Sequence, residues 1–213
     1  RIFLHRKIKA FPLLATTLED GSVVLLAKET SLLYPEHFIA DKREVSLQGN
    51  AFFDVAKKQG QPFWIDTEQA KIEVFGNRFS VQSDEHAPFR LSVQRGIVKV
   101  TLKKGNQECY VKAGEAVVVQ SQRLVVLDAD KENEEWGSFF KHIRFKDESL
   151  ANILKVMNLN SDSLQIQVAS PALEERRLTV EFSDESSEVV ATLIASALGL
   201  QCAQQGDILL LSE

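Results

Sequence analysis

Between Leu47 and Val81 the chain sets apolar residues at alternate positions and interrupts them with glycine. The run reads Leu47, Gly49, Ala51, Phe52, Phe53, Val55, then Pro62 and Phe63, then Gly76, Phe79 and Val81. A period of two belongs to an extended strand with one face on a core. Glycine lets such a strand turn or bulge where a side chain would forbid it. None of these side chains transfers protons, ligates metal or attacks a substrate, so the block encodes a shape.

The same alternation runs from about Phe11 to Asp128. Val23 and Leu25, Ile72 and Val74, Leu91 and Val93, Val98 with Val100 and Leu102, and Leu124 and Val126 all follow it. Gly21, Gly49, Gly60, Gly76, Gly96, Gly105 and Gly114 fall between the runs, and Lys104, Gly105, Asn106 suits a tight hairpin. Many short strands with regular turns predict a β-rich N-terminal domain, either an antiparallel sandwich or a β-roll, with one short turn near Pro35 to Phe38. Within it Trp64 reads as part of an alternating, core-like strand.

A chain of 213 residues that is 44% hydrophobic can bury a substantial core. Its net charge of −5 offers no general attraction to nucleic acid, which needs clustered Lys and Arg. Cys109 and Cys202 are far apart in strand-like contexts and read as buried small hydrophobes. The longest apolar runs, Val23 to Ala27 and Ala116 to Val119, are strand-sized, against the ~20 residues of a membrane-spanning helix. The chain opens at Arg1 with a basic cluster of Arg1, His5, Arg6, Lys7 and Lys9, and reads as a piece of a longer protein.

Asp128, Asp130, Glu132, Glu134 and Glu135 break the alternation and read as a solvated linker and domain boundary. Beyond them the period changes. Ile143 and Phe145 alternate, Asp147 is placed to cap a helix, and Leu150, Ile153, Leu154 and Met157 follow helical spacing. Leu164, Ile166 and Val168 form a strand, and the chain turns near Pro171. Leu178, Val180 and Phe182 then alternate, Asp184 is placed to cap, and Val189, Val190, Leu193, Ile194, Ala197 and Leu198 make one wide helical face that stops at Gly199. Two short strands, Gln201 to Ala203 and Asp207 to Leu211, close the chain. Phe145-Lys-Asp-Glu-Ser149 returns as Phe182-Ser-Asp-Glu-Ser186. The second region is therefore a small α+β domain of duplicated strand-helix units, neither of which buries itself alone.

Sites for chemistry are sparse. His5, His37, His86 and His142 are solitary, without a partner at metal-ligand spacing, and no nucleophile elbow or phosphate loop occurs. Asp54, Asp66 and Asp84 are a conceivable acid-base set, since strands can bring distant carboxylates together. The plainer reading is surface carboxylates between core positions. No catalytic residue, cofactor or metal is expected, and the chain reads as a non-enzyme.

Thr17, Leu18, Asp20, Gly21, Ser22, Val24 and Leu25, then Ser31, Leu33, Tyr34, Pro35 and Phe38, then Arg43, Val45, Leu47, Gly49, Ala51, Phe53, Val55, Pro62, Phe63, Val74, Gly76, Phe79 and Val81 form an ordered series. Gly96, Val98, Val100, Ala113, Gly114 and Glu115 continue it. This series resembles the FecR family of anti-sigma factors. The duplicated C-terminal unit is similar to the short N-terminal domain of secretins and TonB-dependent receptors, by pattern more than by motif. The resemblance implies four segments: a juxtamembrane segment over 1–13, a FecR-like all-β domain over 14–128, an acidic linker over 129–141, and a secretin/TonB short N-terminal-like domain over 142–213.

The resemblance also implies a role: the soluble periplasmic part of a single-pass membrane protein, on the periplasmic side of the inner membrane. It would receive a signal from the N-terminal signalling domain of a TonB-dependent outer-membrane receptor and relay it to a sigma factor, which a cytoplasmic segment absent from this chain would hold. Addition of a partner strand to an open sheet edge is a physical route for that contact, and the last strand, Ile208, Leu209, Leu210 and Leu211, is the expected edge. Three residues depart from the family pattern. Asn50 follows Gly49 where an acid is usual, Ala27 stands where an Asn is usual, and Asn77 follows Gly76 where Thr is typical. Self-cleavage in some relatives is attributed to an acyl shift onto that Thr hydroxyl, which Asn77 lacks. The alternatives are a carbohydrate- or envelope-binding β module, which would need exposed aromatics on one face, and an enzyme on a β-roll.

Overall fold

A computed structural model describes residues 5–9, 13–39, 41–129, 137–161 and 163–213. The chain divides into two compact units, 1–136 and 137–213. Most of the acidic linker, with Trp136, and the segment around Phe11 lie outside the described residues. Among the described residues no helix is long and apolar enough to cross a membrane.

Among the described residues the first unit holds thirteen strands: β1 (His5–Lys9), β2 (Leu14–Thr17), β3 (Val23–Leu26), β4 (Ser31–Pro35), β5 (Arg43–Asp54), β6 (Phe63–Asp66), β7 (Ala70–Val74), β8 (Arg78–Ser83), β9 (Arg90–Arg95), β10 (Ile97–Leu102), β11 (Glu108–Lys112), β12 (Glu115–Gln120) and β13 (Arg123–Asp128). One layer runs β1-β4-β5-β6-β7-β10-β11 and the other β2-β3-β5-β8-β9-β12-β13. Strand β5 belongs to both. Arg43 to Gln48 pair with β4 and β6, and Gly49 to Asp54 pair with β3 and β8. The expected antiparallel sandwich is present, with one parallel pair, β5 with β6, among these ladders.

Alternation sorts the side chains as a two-layer core requires. Val45, Leu47, Phe63, Ile65, Ile72, Val98 and Val100 from one layer and Val24, Leu26, Phe53, Phe79, Val81, Leu91 and Val117 from the other form a single buried cluster. Phe53 joins the layers, stacking on Phe79 at 5.3 Å and meeting Phe63 edge-on at 6.5 Å. Each such ring contributes about 1.5–3 kcal/mol by leaving water. Trp64 corrects the core-like reading given to it. Phe63 and Ile65 hold the inward phase of β6, while Trp64 is only partly buried and carries Lys71 over its ring at 5.1 Å.

The segment expected to be a juxtamembrane tail contains β1, which pairs antiparallel with β4 at the edge of its layer. His5, Arg6, Lys7 and Lys9 are exposed on it while Ile8 packs on the core. Cationic side chains on an edge strand discourage further strands from pairing there.

The second unit comprises β14 (Ile143–Ser149), α1 (Leu150–Leu159), β15 (Gln165–Val168), α2 (Pro171–Glu174), β16 (Arg177–Phe182), α3 (Ser187–Leu198), β17 (Gln201–Gln205) and β18 (Ile208–Ser212). β14 pairs with β16, and β15-β18-β17 make a three-stranded sheet. The repeated motif is real in space, with Phe145 and Phe182 packed edge to face at 6.2 Å.

Three expectations about this unit are corrected. The helix caps are Ser149, whose hydroxyl accepts from the Asn152 N–H, and Ser186, which accepts from Val189. Asp147 and Asp184 instead occupy left-handed backbone at φ 45° and 63°, where a short polar side chain is tolerated. On α3 the buried face is Val190, Ala191, Ile194 and Ala195, so Val189 and Leu193 are exposed. Cys202 is exposed on β17, and its counterpart in the first unit, Cys109 on β11, is only half-buried.

Candidate functional site

The expected edge strand is not an edge. Ile208 to Leu211 lie in the centre of the three-stranded sheet, parallel to β15 on one side and antiparallel to β17 on the other, and Leu209 and Leu211 are buried. Two neighbours satisfy both ladders, and the alternate leucines supply the core. The outer strands are β15, where the Asn158 side chain bonds to the N–H and carbonyl of Ile166, and β17, all five of whose residues are exposed. Gly206 and Asp207 form a two-residue turn that makes Gln205 and Ile208 the closing pair. By alternation Cys202 and Gln204 then point their backbone N–H and C=O away from β18.

In the first unit the glycines of the motif mark where strands change layer. Gly49 is the turning point of β5 at φ 114°, and a Cβ there would lie 2.5 Å from the Thr30 hydroxyl. Gly76 links β7 to β8 and Gly96 links β9 to β10, and they cross side by side. A Cβ on Gly76 would meet the Gly96 Cα at 2.2 Å, and one on Gly96 would meet the Gly76 Cα at 2.3 Å. Gly114, at φ 84°, makes the next change, from β11 to β12, its N–H bonding to the Val93 carbonyl at 2.9 Å.

Asp20, Gly21 and Ser22 build the turn between β2 and β3. Gly21 takes φ 82°, and both the N–H and the hydroxyl of Ser22 donate to the Asp20 carboxylate. That carboxylate faces Arg43 at 2.6 Å in an almost fully buried ion pair. Arg43 also donates to the carbonyls of Gln61 and Ala56, at 3.0 and 2.8 Å, and lies over the Phe63 ring. The Ala56 N–H in turn donates to the Ser22 hydroxyl. One buried network thus ties the β2–β3 turn to the loop between β5 and β6. Phe53, Val55, Phe63 and Phe79 are core, and Pro62 is exposed with its carbonyl accepting from the Arg43 N–H. Arg43 shares its alternation phase with Val45 and Leu47, so a charge at an inward position was the sequence signal for this pair.

The three carboxylates weighed as an acid-base set are engaged separately. Asp54 faces Arg78 at 3.6 Å, Asp66 pairs with Lys103 at 2.9 Å, and Asp84 accepts from the Asn50 side chain at 2.6 Å. Among the described residues no group of three or more potential ligands is placed to hold a metal.

Asn50 gives the departure at that position a physical meaning. Its Nδ2 donates to Asp84 and its Oδ1 accepts from the Ser83 N–H, and the bond from Asn50 is the main cause holding the Asp84 carboxyl below its ordinary range. A depressed carboxyl stabilises the fold above the unfolded-state value, and the contribution is lost as pH falls through the folded one. Asn50→Asp is expected to set two carboxylates together and cost about 1–3 kcal/mol at pH 7. That loss should shrink below about pH 4 as carboxylates protonate, which urea titrations at both pH values would reveal.

At Gly76 to Asn77 the Asn77 N–H donates to the Arg95 carbonyl and its carbonyl accepts from Val55. With no hydroxyl to receive an acyl group, the bond is expected to stay intact. Mass spectrometry of aged protein showing fragments ending at Gly76 would contradict this.

These features describe a two-layer unit of strands and a small α+β unit with the exposed outer strand β17. Residues 14–99 match the family model described as FecR protein, which covers the strand changes at Gly49, Gly76 and Gly96. No curated protein matches the chain. Among solved structures, a candidate anti-sigma factor from Parabacteroides distasonis ATCC 8503 is similar in fold, with a TM-score of 0.60, 23% identity, and 99% of each chain covered. A second structure of a candidate anti-sigma factor from the same organism has a TM-score of 0.59 at 22% identity, over 97% of this chain and 98% of the other.

Proposed function

We propose that this chain is the sensing region of a membrane-anchored anti-sigma factor. On the periplasmic side of the inner membrane it binds the signalling domain of a TonB-dependent outer-membrane receptor and relays that contact to a sigma factor. The match of residues 14–99 to the FecR model carries the reading. The likeness to candidate anti-sigma factors over nearly the whole chain supports it. In this reading the C-terminal unit is the short N-terminal-type domain, and its free edge β17 takes up the partner strand. Main-chain bonds supply affinity there and alternate side chains supply specificity.

The test is calorimetry between the chain and the N-terminal signalling domain of a TonB-dependent receptor encoded beside it. Saturable binding is expected, and Gln204→Pro, which removes an outward N–H without touching the β18 ladder, should weaken it at least tenfold. No binding to the receptor domain would end the receptor reading. Unchanged affinity in Gln204→Pro would remove β17 as the docking edge.

A further inference from the structure

A groove of about 560 Å³ opens beside the Gly76–Gly96 crossing in the first unit, and its charge is one-sided. Arg43, Lys57, Lys58 and Arg95 line it, and no carboxylate does. Arg43 is neutralised by Asp20, yet its Nη2 has no partner among the described residues. Lys57, Lys58 and Arg95 are exposed and form no ion pair among the described residues.

Arg95 also stands directly opposite Arg78 in the β8–β9 ladder. Like charges in that position destabilise a sheet, and Asp54, 3.6 Å from Arg78, is the carboxylate nearby. A fold that keeps such a pair beside two further cations presents a site for negative charge.

Two observations narrow the class of anion. Val74 and Phe75 give the groove an apolar side, Phe75 being 59% exposed, so the occupant carries apolar surface as well as charge. Gln61 lines the groove with a buried Oε1 that has no partner among the described residues, while its Nε2 donates to the Ile39 carbonyl. A buried acceptor wants a donor. Inorganic phosphate at neutral pH or a phospholipid headgroup answers the cations but not the apolar wall, whereas a peptide brings carboxylates, apolar side chains and backbone N–H groups together.

We propose that the groove between the β5–β6 loop and the Gly76–Gly96 crossing docks an acidic peptide segment of a partner protein, its carboxylates meeting Lys57, Lys58 and Arg95 and an apolar side chain resting on Phe75. This site shares no residue with β17, so its failure would leave the receptor reading untouched.

The experiment is fluorescence anisotropy of the full chain with a labelled peptide that alternates glutamate and leucine. Saturable binding is expected, weakening at least tenfold when the glutamates become glutamines. The exposed-loop variant Lys57→Glu/Lys58→Glu should lose at least tenfold and Arg95→Gln several-fold, with an unchanged far-UV spectrum. Equal binding by wild type and the double variant, or no saturation, would overturn the proposal. So would phosphatidylglycerol vesicles or inorganic phosphate binding in a Lys57- and Lys58-dependent way where the peptide does not.

Discussion

Gly76→Ala is expected to destabilise the first unit by about 3–5 kcal/mol, near the upper end of single substitutions. The added Cβ would fall 2.2 Å from the Gly96 Cα and 2.5 Å from the Ile97 backbone nitrogen, and both contacts are to main chain that cannot rotate away. Relief would require the two crossing strands to separate, and each is held by hydrogen bonds. Phe75 donates to the Ile97 carbonyl at 3.0 Å and Asn77 to the Arg95 carbonyl at 3.2 Å. Gly96→Ala should be at least as damaging, because φ 91° adds conformational strain to the same clash. Gly60 is the control, since its φ is 71° but a Cβ there meets nothing within 4 Å. Gly60→Ala is expected to cost about 1 kcal/mol, the conformational part alone. Urea unfolding followed by tryptophan fluorescence would compare the three variants. If Gly76→Ala proved no worse than Gly60→Ala, the close crossing would be wrong.

The second large effect is expected at the buried ion pair. Asp20→Ala and Arg43→Met should each cost about 3–5 kcal/mol, because either leaves a charge in an almost fully buried site. The pair's net contribution is much smaller, since burying both charges offsets most of their attraction. The double variant should therefore be far less unstable than the sum of the singles, a coupling that a double-mutant cycle measures directly. Arg43→Met keeps the aliphatic stem against Phe63, so lost packing contributes little to the difference. Additive effects would show that the carboxylate and guanidinium are satisfied independently. A secondary consequence of Arg43→Met is a looser β5–β6 loop, because the Gln61 and Ala56 carbonyls lose their donor.

Both predictions rest on residues that were visible in the sequence as landmarks but whose work was not. Gly76 and Gly96 read as turn residues, yet nothing local says that two turns twenty positions apart share a van der Waals contact. Arg43 sits in phase with Val45 and Leu47, which announces an inward charge but not that Asp20 waits opposite. The second unit gives the same lesson at shorter range. The repeated Phe-x-Asp-Glu-Ser motif is legible, and so is each helix that follows. The cap fell two residues later than Asp147 and Asp184, because left-handed backbone at the aspartates delays helix entry until Ser149 and Ser186. On α3 the apolar stripe is wider than the face that packs, so periodicity alone did not separate Val190 and Ile194 from the exposed Val189 and Leu193.

Local alternation and glycine spacing determined by themselves that the region ending at Asp128 is built of short strands around a shared core, and the change to helical spacing determined a smaller α+β unit after it, because both periods follow from backbone geometry. Only the tertiary structure decided that β5 serves two layers, that Ile208 to Leu211 are flanked on both sides, and that β17 is an exposed outer strand. Strand order depends on which distant segments find one another, and an apolar strand looks the same in sequence whether one neighbour or two complete its hydrogen bonds.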